Sequence, residues 1–103
     1  MIIGEVRTFP NVKPDKQQVL KVIEEAAEVF GAWQKLQAHP ASYIVPNSTM
    51  ANEICKHGLM NECADVIQAT CNLVAAFGIE DFSNYMELCE QRNQDRGRYD
   101  IQE

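Results

Sequence analysis

The sequence predicts a single all-α domain with a short extended arm at its N-terminus. Apolar residues recur at helical spacing over residues 16–37, 59–77 and 80–93. Pro14 precedes the first of these stretches and Gly78 follows the second, as expected for the start and the end of helices. A chain of 103 residues with 46% hydrophobic residues is large enough for one core and too small for two.

The composition limits the partners of the chain. With a formal net charge of −6, it has no basic excess with which to bind a nucleic-acid backbone. No stretch resembles a signal peptide or reaches the length of a transmembrane helix, so we expect a cytoplasmic protein that binds no membrane. The four cysteines include no CxxC pair and are expected to be free thiols. Cys55 and His57 alone are too few ligands for a closed zinc site.

The first helix should follow an arm over residues 1–14, where two prolines prevent a long helix. We predict that it runs from about Lys16 to about Gln37. Asp15 is the expected N-cap, with Gln18 in the capping-box position.

Two apolar groups follow the length of this first helix. The group predicted to face the core is Val19, Ile23, Ala26 and Phe30. The group on the flank is Val22, Val29, Trp33 and Leu36, and the group roughly opposite the core is Lys21, Glu25, Glu28 and Ala32. A helix that is apolar over so much of its circumference should be covered on two sides. In a chain this short, we expect the second cover to be another subunit.

The middle of the chain is predicted to contain a break. Residues 38–47 should form a loop between prolines, after which Ser48 or Thr49 caps a short helix that Gly58 stops. A second long helix should then run from about Leu59 to Phe77, ending at Gly78. The last helix is expected to start at Glu80-Asp81 and to fray after Asn93.

Two acid pairs are spaced three residues apart on the predicted long helices: Glu25 with Glu28, and Glu62 with Asp65. Neighbouring like charges weaken a helix by a few tenths of a kcal/mol, so a compensating cation is expected. Oxygen ligands suit Mg²⁺, which proteins commonly use with a phosphate substrate. The alternative is that these acids are ordinary solvated side chains of an acidic protein.

Two further polar groups could complete such a site. Asn72 shares a helical face with the second acid pair, with alanines between them, and small residues there leave space for a ligand or for tight helix packing. Asn93, Arg96 and Arg98 belong to the one locally basic stretch of the chain, and arginine pairs well with phosphate. The alternative for these arginines is solvation or pairing with nearby surface acids.

Glu24-Glu25-Ala26-Ala27-Glu28 followed by Glu62-Cys63-Ala64-Asp65 resembles the EExxE…ExxD pattern of the all-α nucleotide pyrophosphatases. The resemblance is closest to the MazG-like family, which is related to the dimeric dUTPases. The block from Asn93 to Tyr99 is similar to the N-x-x-R-G-x-Y ending of several such proteins. The stretch from Lys21 to Glu28 also resembles the related phosphoribosyl-ATP pyrophosphatases. The gap between the two acid motifs is longer than is usual in the family.

The resemblance implies a helical bundle that acts as a homodimer or homotetramer. It also implies cleavage of nucleoside triphosphates to monophosphates and pyrophosphate, with Mg²⁺ or substituting Mn²⁺ as cofactor. The candidate residues are Glu24 and Glu25 for catalysis; Glu25, Glu28, Glu62 and Asp65 for the metal; and Lys21, Asn72, Asn93, Arg96 and Arg98 for the substrate. Trp33 or Tyr43 could stack on a base, although Trp33 fits a core or an interface better. The competing hypotheses are a non-catalytic helical interaction module and a regulator that binds metal without hydrolysis.

Overall fold

The computed structural model describes residues 1–41 and 46–101, which form three helices and no strand. These helices are α1 (Lys16–Ala38), α2 (Pro46–Ala76) and α3 (Ser83–Asp95). The all-α fold class is therefore confirmed. Tyr43, a candidate for stacking on a base, and part of the expected proline-bracketed loop lie outside the described residues.

The start of α1 is confirmed at the residue expected from the sequence. The carboxylate of Asp15 accepts hydrogen bonds from the backbone N–H groups of Gln17 and Gln18, at 3.1 and 3.3 Å. These bonds satisfy two of the N–H groups that a helix start leaves without a partner.

The break predicted at Gly58 is wrong, because α2 is one continuous helix that runs through this residue. A glycine in a helix interior costs about 1 kcal/mol relative to alanine, which packing of the helix can outweigh. The predicted end of α2 is confirmed: Gly78 has a φ of +80°, and its N–H group donates to the carbonyl of Ala75 at 2.9 Å.

Helix α3 begins later and ends later than the sequence predicts. Asp81 precedes it and accepts hydrogen bonds from the hydroxyl and the backbone N–H group of Ser83, which lower the pKa of Asp81. At its end, Gly97 donates to the carbonyl of Gln94 and Arg98 donates to that of Asn93. With Gly97 at a φ of +72°, these two bonds form a Schellman motif.

Helix α1 packs against α2, and its buried side is not the one predicted. Val22, Val29 and Leu36 of the expected flank are partly buried, whereas its fourth member, Trp33, is 46% exposed. The expected core stripe is exposed, with Ile23 at 60% and Phe30 at 61% of full exposure. Periodicity reveals two apolar stripes on α1 but cannot tell which of them faces α2.

The single chain covers little of its apolar surface. Ala69 is the one buried hydrophobic residue in the described part of the chain. The accessible surface is 8682 Å², whereas a compact monomer of 11.7 kDa exposes about 5,900 Å². The radius of gyration is 17.6 Å, against about 13 Å for a compact domain of this length.

The N-terminal arm is fixed to α2 by two polar side chains. The buried Asn72 accepts, at 3.0 Å each, from the backbone N–H group of Phe9 and from the amide of Gln68, which also donates to the carbonyl of Arg7. The arm, the second half of α2 and the start of α3 enclose a largely apolar groove of about 830 Å³.

Candidate metal centre

Three acids from the two sequence motifs meet where α1 packs against α2. Glu25 and Glu28 of α1 and Glu62 of α2 each bring a carboxylate oxygen to within 4.8 Å of the others. The two α1 residues are neighbours because they lie three positions apart on a helix, and helix packing adds the third. We call Glu25, Glu28 and Glu62 the acid cluster.

Two oxygens of the acid cluster are buried and have no hydrogen-bond partner. Glu25 is only 9% exposed; its Oε1 lies 3.0 Å from Nζ of Lys21, while its Oε2 has no partner. Oε2 of Glu62 is in the same situation. A buried charged oxygen without a partner is costly, so this arrangement favours a bound cation.

The charged groups in and beside the cluster shift the pKa values of Glu25 and Glu28 in opposite directions. A hydrogen bond from Lys21 lowers the pKa of Glu25, against the effect of burial. Glu25 raises the pKa of Glu28, first because a protonated Glu28 can donate a hydrogen bond to its carboxylate and then through its charge, and Glu62 makes a smaller contribution. One lysine therefore does not neutralise the three carboxylates, and a further positive charge would stabilise them.

The ligands available in the cluster fit a hard divalent cation. Carboxylate oxygens are the ligands that Mg²⁺ and Mn²⁺ prefer, and Mg²⁺ usually keeps several waters beside one or two carboxylates. The four cysteines are free, and none belongs to the acid cluster. The residues present therefore fit Mg²⁺ better than zinc.

Two candidate acids lie outside the cluster. Asp65, one turn beyond Glu62 on α2, is exposed and is not grouped with the other three. Glu24 is exposed, and its Oε2 lies 3.6 Å from Nζ of Lys21. The bond to Glu25 and the charge of Glu24 raise the pKa of Lys21, which stays charged beside the cluster.

Asn72 has a contact that the sequence did not indicate. It lies ten residues beyond Glu62 on the same helix, which corresponds to about 15 Å along the axis. Its side-chain oxygen is occupied by Phe9 and Gln68. The structure thus places Asn72 under the arm, away from the acid cluster, and the period of the helix carried no signal for this contact.

The C-terminal candidates are not next to the acids within one chain. In the described structure, no Cα atom of α3 comes within 8 Å of a Cα atom of α1 or α2. Asn93 donates to the sulfur of Cys89 at 3.6 Å, and neither Arg96 nor Arg98 forms an ion pair with a described residue. The alternative that these arginines pair with surface acids is therefore not seen in this part of the chain.

Comparison of the chain with protein-family models, with curated proteins and with solved structures finds no match. Within residues 1–41 and 46–101, no helix is both long enough and apolar enough to cross a membrane.

Proposed function

We propose that this chain is a Mg²⁺-dependent nucleoside triphosphate pyrophosphohydrolase that converts (d)NTP to (d)NMP and pyrophosphate. The observation that carries the proposal is the acid cluster, with its two buried carboxylate oxygens that have no partner. Glu25, Glu28 and Glu62 are three of the four positions at which the resemblance to MazG-like proteins implies a metal ligand. Mn²⁺ has the same preference for oxygen and is the proposed substitute.

The acid cluster would hold the metal, and Asp65 is the proposed further ligand, one turn along α2. Bound Mg²⁺ would neutralise the carboxylates, which otherwise repel a triphosphate, and would polarise the phosphoryl oxygens. Lys21 holds one oxygen of Glu25 at 3.0 Å and leaves the other without a protein partner. This contact fixes the orientation of the carboxylate before any ligand binds.

The proposed substrate contacts are cationic because the substrate is an anion. Lys21 is half exposed at the edge of the acid cluster, where its ammonium group can contact a terminal phosphate. Asn93, Arg96 and Arg98 are the other proposed phosphate ligands. Asn72 is not proposed as one, because its side-chain oxygen binds the arm.

The proposed reaction is an in-line attack of water at the α-phosphorus. Glu24 is exposed beside Lys21, and we assign it the role of orienting the water and accepting its proton. The bond between the α-phosphorus and the bridging oxygen then breaks, and pyrophosphate leaves. Positioning and electrostatics supply most of the rate in such reactions.

A nucleotide panel tests this proposal. The purified protein is incubated with each (d)NTP and with phosphoribosyl-ATP in the presence of Mg²⁺, and monophosphate and pyrophosphate are measured with and without a chelator. We expect both products in equal amounts, and none with the chelator. Tight Mg²⁺ binding without turnover would instead identify a metal-binding regulator, and release of inorganic phosphate would contradict the assigned bond cleavage.

A further inference from the structure

Lys21 already supplies a cation to one side of the acid cluster. Its Nζ lies 3.0 Å from Oε1 of Glu25 and 3.6 Å from Oε2 of Glu24, so the ammonium group contacts two neighbouring acids. Oε2 of Glu25 is buried and has no hydrogen-bond partner. One oxygen of this carboxylate is therefore bound to a cation of the protein, and the other is left for a metal ion.

We propose that Lys21 takes the place of a second metal ion, so that the acid cluster of one chain binds a single divalent cation. The proposal rests on the proposed function in one respect, which is that the acid cluster binds a metal. It concerns the ions that the protein itself holds, and not the Mg²⁺ that arrives with a nucleotide.

The surroundings of Glu25 correspond to one half of a two-metal site. In such sites the two ions lie about 3.5–4 Å apart, and a carboxylate that bridges them gives one oxygen to each ion. In this chain the ammonium group of Lys21 occupies Oε1 of Glu25. A Mg²⁺ ion at about 2.0–2.1 Å from the same oxygen would lie beside the ammonium group and repel it. Lys21 therefore opposes a second ion at this carboxylate.

The charges of the cluster are balanced by one divalent cation. When ionised, Glu25, Glu28 and Glu62 carry three negative charges, which Lys21 and one Mg²⁺ neutralise. A second divalent cation would leave an excess of two positive charges beside the buried Glu25, and burial makes an unbalanced charge costly. Without Lys21, one divalent cation would leave a net negative charge that attracts a second cation.

The position of Lys21 on α1 brings it to the cluster. Lys21 precedes Glu25 by four residues and Glu24 by three, which are the spacings of neighbours on a helix. Its side chain is 51% exposed, so the ion pair with Glu25 adds little to the stability of the fold. The main effect of Lys21 is therefore expected on cation binding.

Counting of bound Mn²⁺ ions tests the proposal, because Mn²⁺ shares the preference for oxygen ligands and is detected by electron paramagnetic resonance. The protein is titrated with Mn²⁺ in the absence of nucleotide, and the ions bound per chain are counted. Lys21→Met removes the charge, and Lys21→Arg keeps it. Lys35→Met, which changes an exposed lysine ten residues beyond Glu25 on α1, is the matched control.

We expect the wild type, Lys21→Arg and Lys35→Met to bind one Mn²⁺ per chain and to show the sharp spectrum of an isolated ion. Lys21→Met should bind two Mn²⁺ ions, and the coupling between their spins should broaden the spectrum. The melting temperature in chelator should barely differ among the four proteins. Lys21→Gln, which also removes the charge, replaces Lys21→Met if that variant does not fold.

Two results would overturn the proposal directly: two ions per chain in the wild type, or one ion per chain after the charge of Lys21 is removed. Absence of Mn²⁺ binding by the wild type would overturn it together with the proposed metal centre. The count is made without substrate, so it is independent of turnover. A change from one ion to two in a protein that hydrolyses no nucleotide would support the role of Lys21 and contradict the enzymatic activity.

Discussion

Glu28 and Glu62 belong to different helices, and each places a carboxylate oxygen within 4.8 Å of one belonging to the other. Hydrogen bonding with Glu25 contributes most to the raised pKa of Glu28, and Glu62 acts in the same direction. Two ionised acids in this position repel each other, and either a proton on Glu28 or a bound cation relieves the repulsion. A bound cation would therefore stabilise this pair, as the proposed function requires.

Glu62→Gln keeps the shape of the side chain and removes its charge. We expect Mg²⁺ affinity and kcat/KM to fall by at least about 100-fold, as when an electrostatic group is lost from a catalytic site. The metal-free variant should melt no lower than the wild type, because the repulsion from Glu28 is gone. Calorimetry with Mg²⁺, pyrophosphate release and thermal melting in chelator measure the three effects.

The matched control for this substitution is Glu90→Gln, which changes an exposed acid of α3. It should alter none of the three quantities. If Glu62→Gln bound Mg²⁺ as tightly as the wild type, the acid cluster would not be the metal centre.

Asn72→Ala should loosen the arm and leave the chemistry intact. The substitution removes the acceptor for the backbone N–H group of Phe9, so we expect a loss of about 1–3 kcal/mol of stability. Asn72→Asp keeps an acceptor oxygen and should recover most of that loss. Denaturant unfolding and proteolysis of the arm measure the effect, with Asn84→Ala as a surface control. A large fall in kcat/KM at unchanged stability would return Asn72 to the substrate site.

The helical stretches and the pairing of Glu25 with Glu28 could be predicted because both follow from local spacing. Residues three apart on a helix are neighbours wherever the helix lies, so Glu25 and Glu28 needed no tertiary information. Only the packing of α1 on α2 could add Glu62, and the resemblance of the motifs supplied that expectation. Asp65 has the same spacing from Glu62 and still lies outside the cluster, because spacing does not fix which way a turn of α2 faces.

Other features depended on contacts that no local pattern contains. Asn72 binds the backbone of Phe9, which lies 63 positions earlier in the sequence. The polar helical face to which Asn72 belongs does not indicate this contact. The sequence shows both apolar stripes of α1. It does not show which of them packs on α2 and which is left for a second chain. Glycine is a poor helix former, so the sequence predicts a stop at Gly58, whereas packing of α2 outweighs that preference.

Replacement of two glycines, Gly97 and Gly58, by alanine should change the free energy of unfolding in opposite directions. Gly97 has a φ of +72°, and an added Cβ would lie 2.8 Å from Oδ2 of Asp100, so Gly97→Ala should cost about 1–2 kcal/mol. Gly58 is in mid-helix with no atom within 4 Å of an added Cβ, so Gly58→Ala should stabilise by about 0.5–1 kcal/mol. Unfolding in urea compares the two variants. If both variants changed the free energy of unfolding in the same direction, the continuous α2 or the Schellman motif of α3 would be contradicted.

Arg96→Ala should weaken catalysis and leave the fold intact. If Arg96 makes one charge-assisted contact with a phosphate, its loss costs about 1.5–3 kcal/mol, or roughly 10- to 150-fold in kcat/KM. The melting temperature should barely change, because Arg96 is exposed and forms no ion pair with a described residue. Arg92→Ala, one turn earlier on α3, is the matched control. Unchanged turnover in Arg96→Ala would remove the C-terminal stretch from the proposed site.

Because no Cα atom of α3 lies within 8 Å of a Cα atom of α1 or α2, we expect Arg96 to serve the acid cluster of another copy. Refolding equal amounts of Arg96→Ala and Glu62→Gln together tests this expectation. If acids and arginine come from different chains, a mixed dimer contains one site with both intact, and about a quarter of all sites should regain activity. If they come from the same chain, every site carries one defect and mixing restores nothing. A recovered quarter would therefore place the arginine across the subunit interface, and no recovery would place it within its own chain.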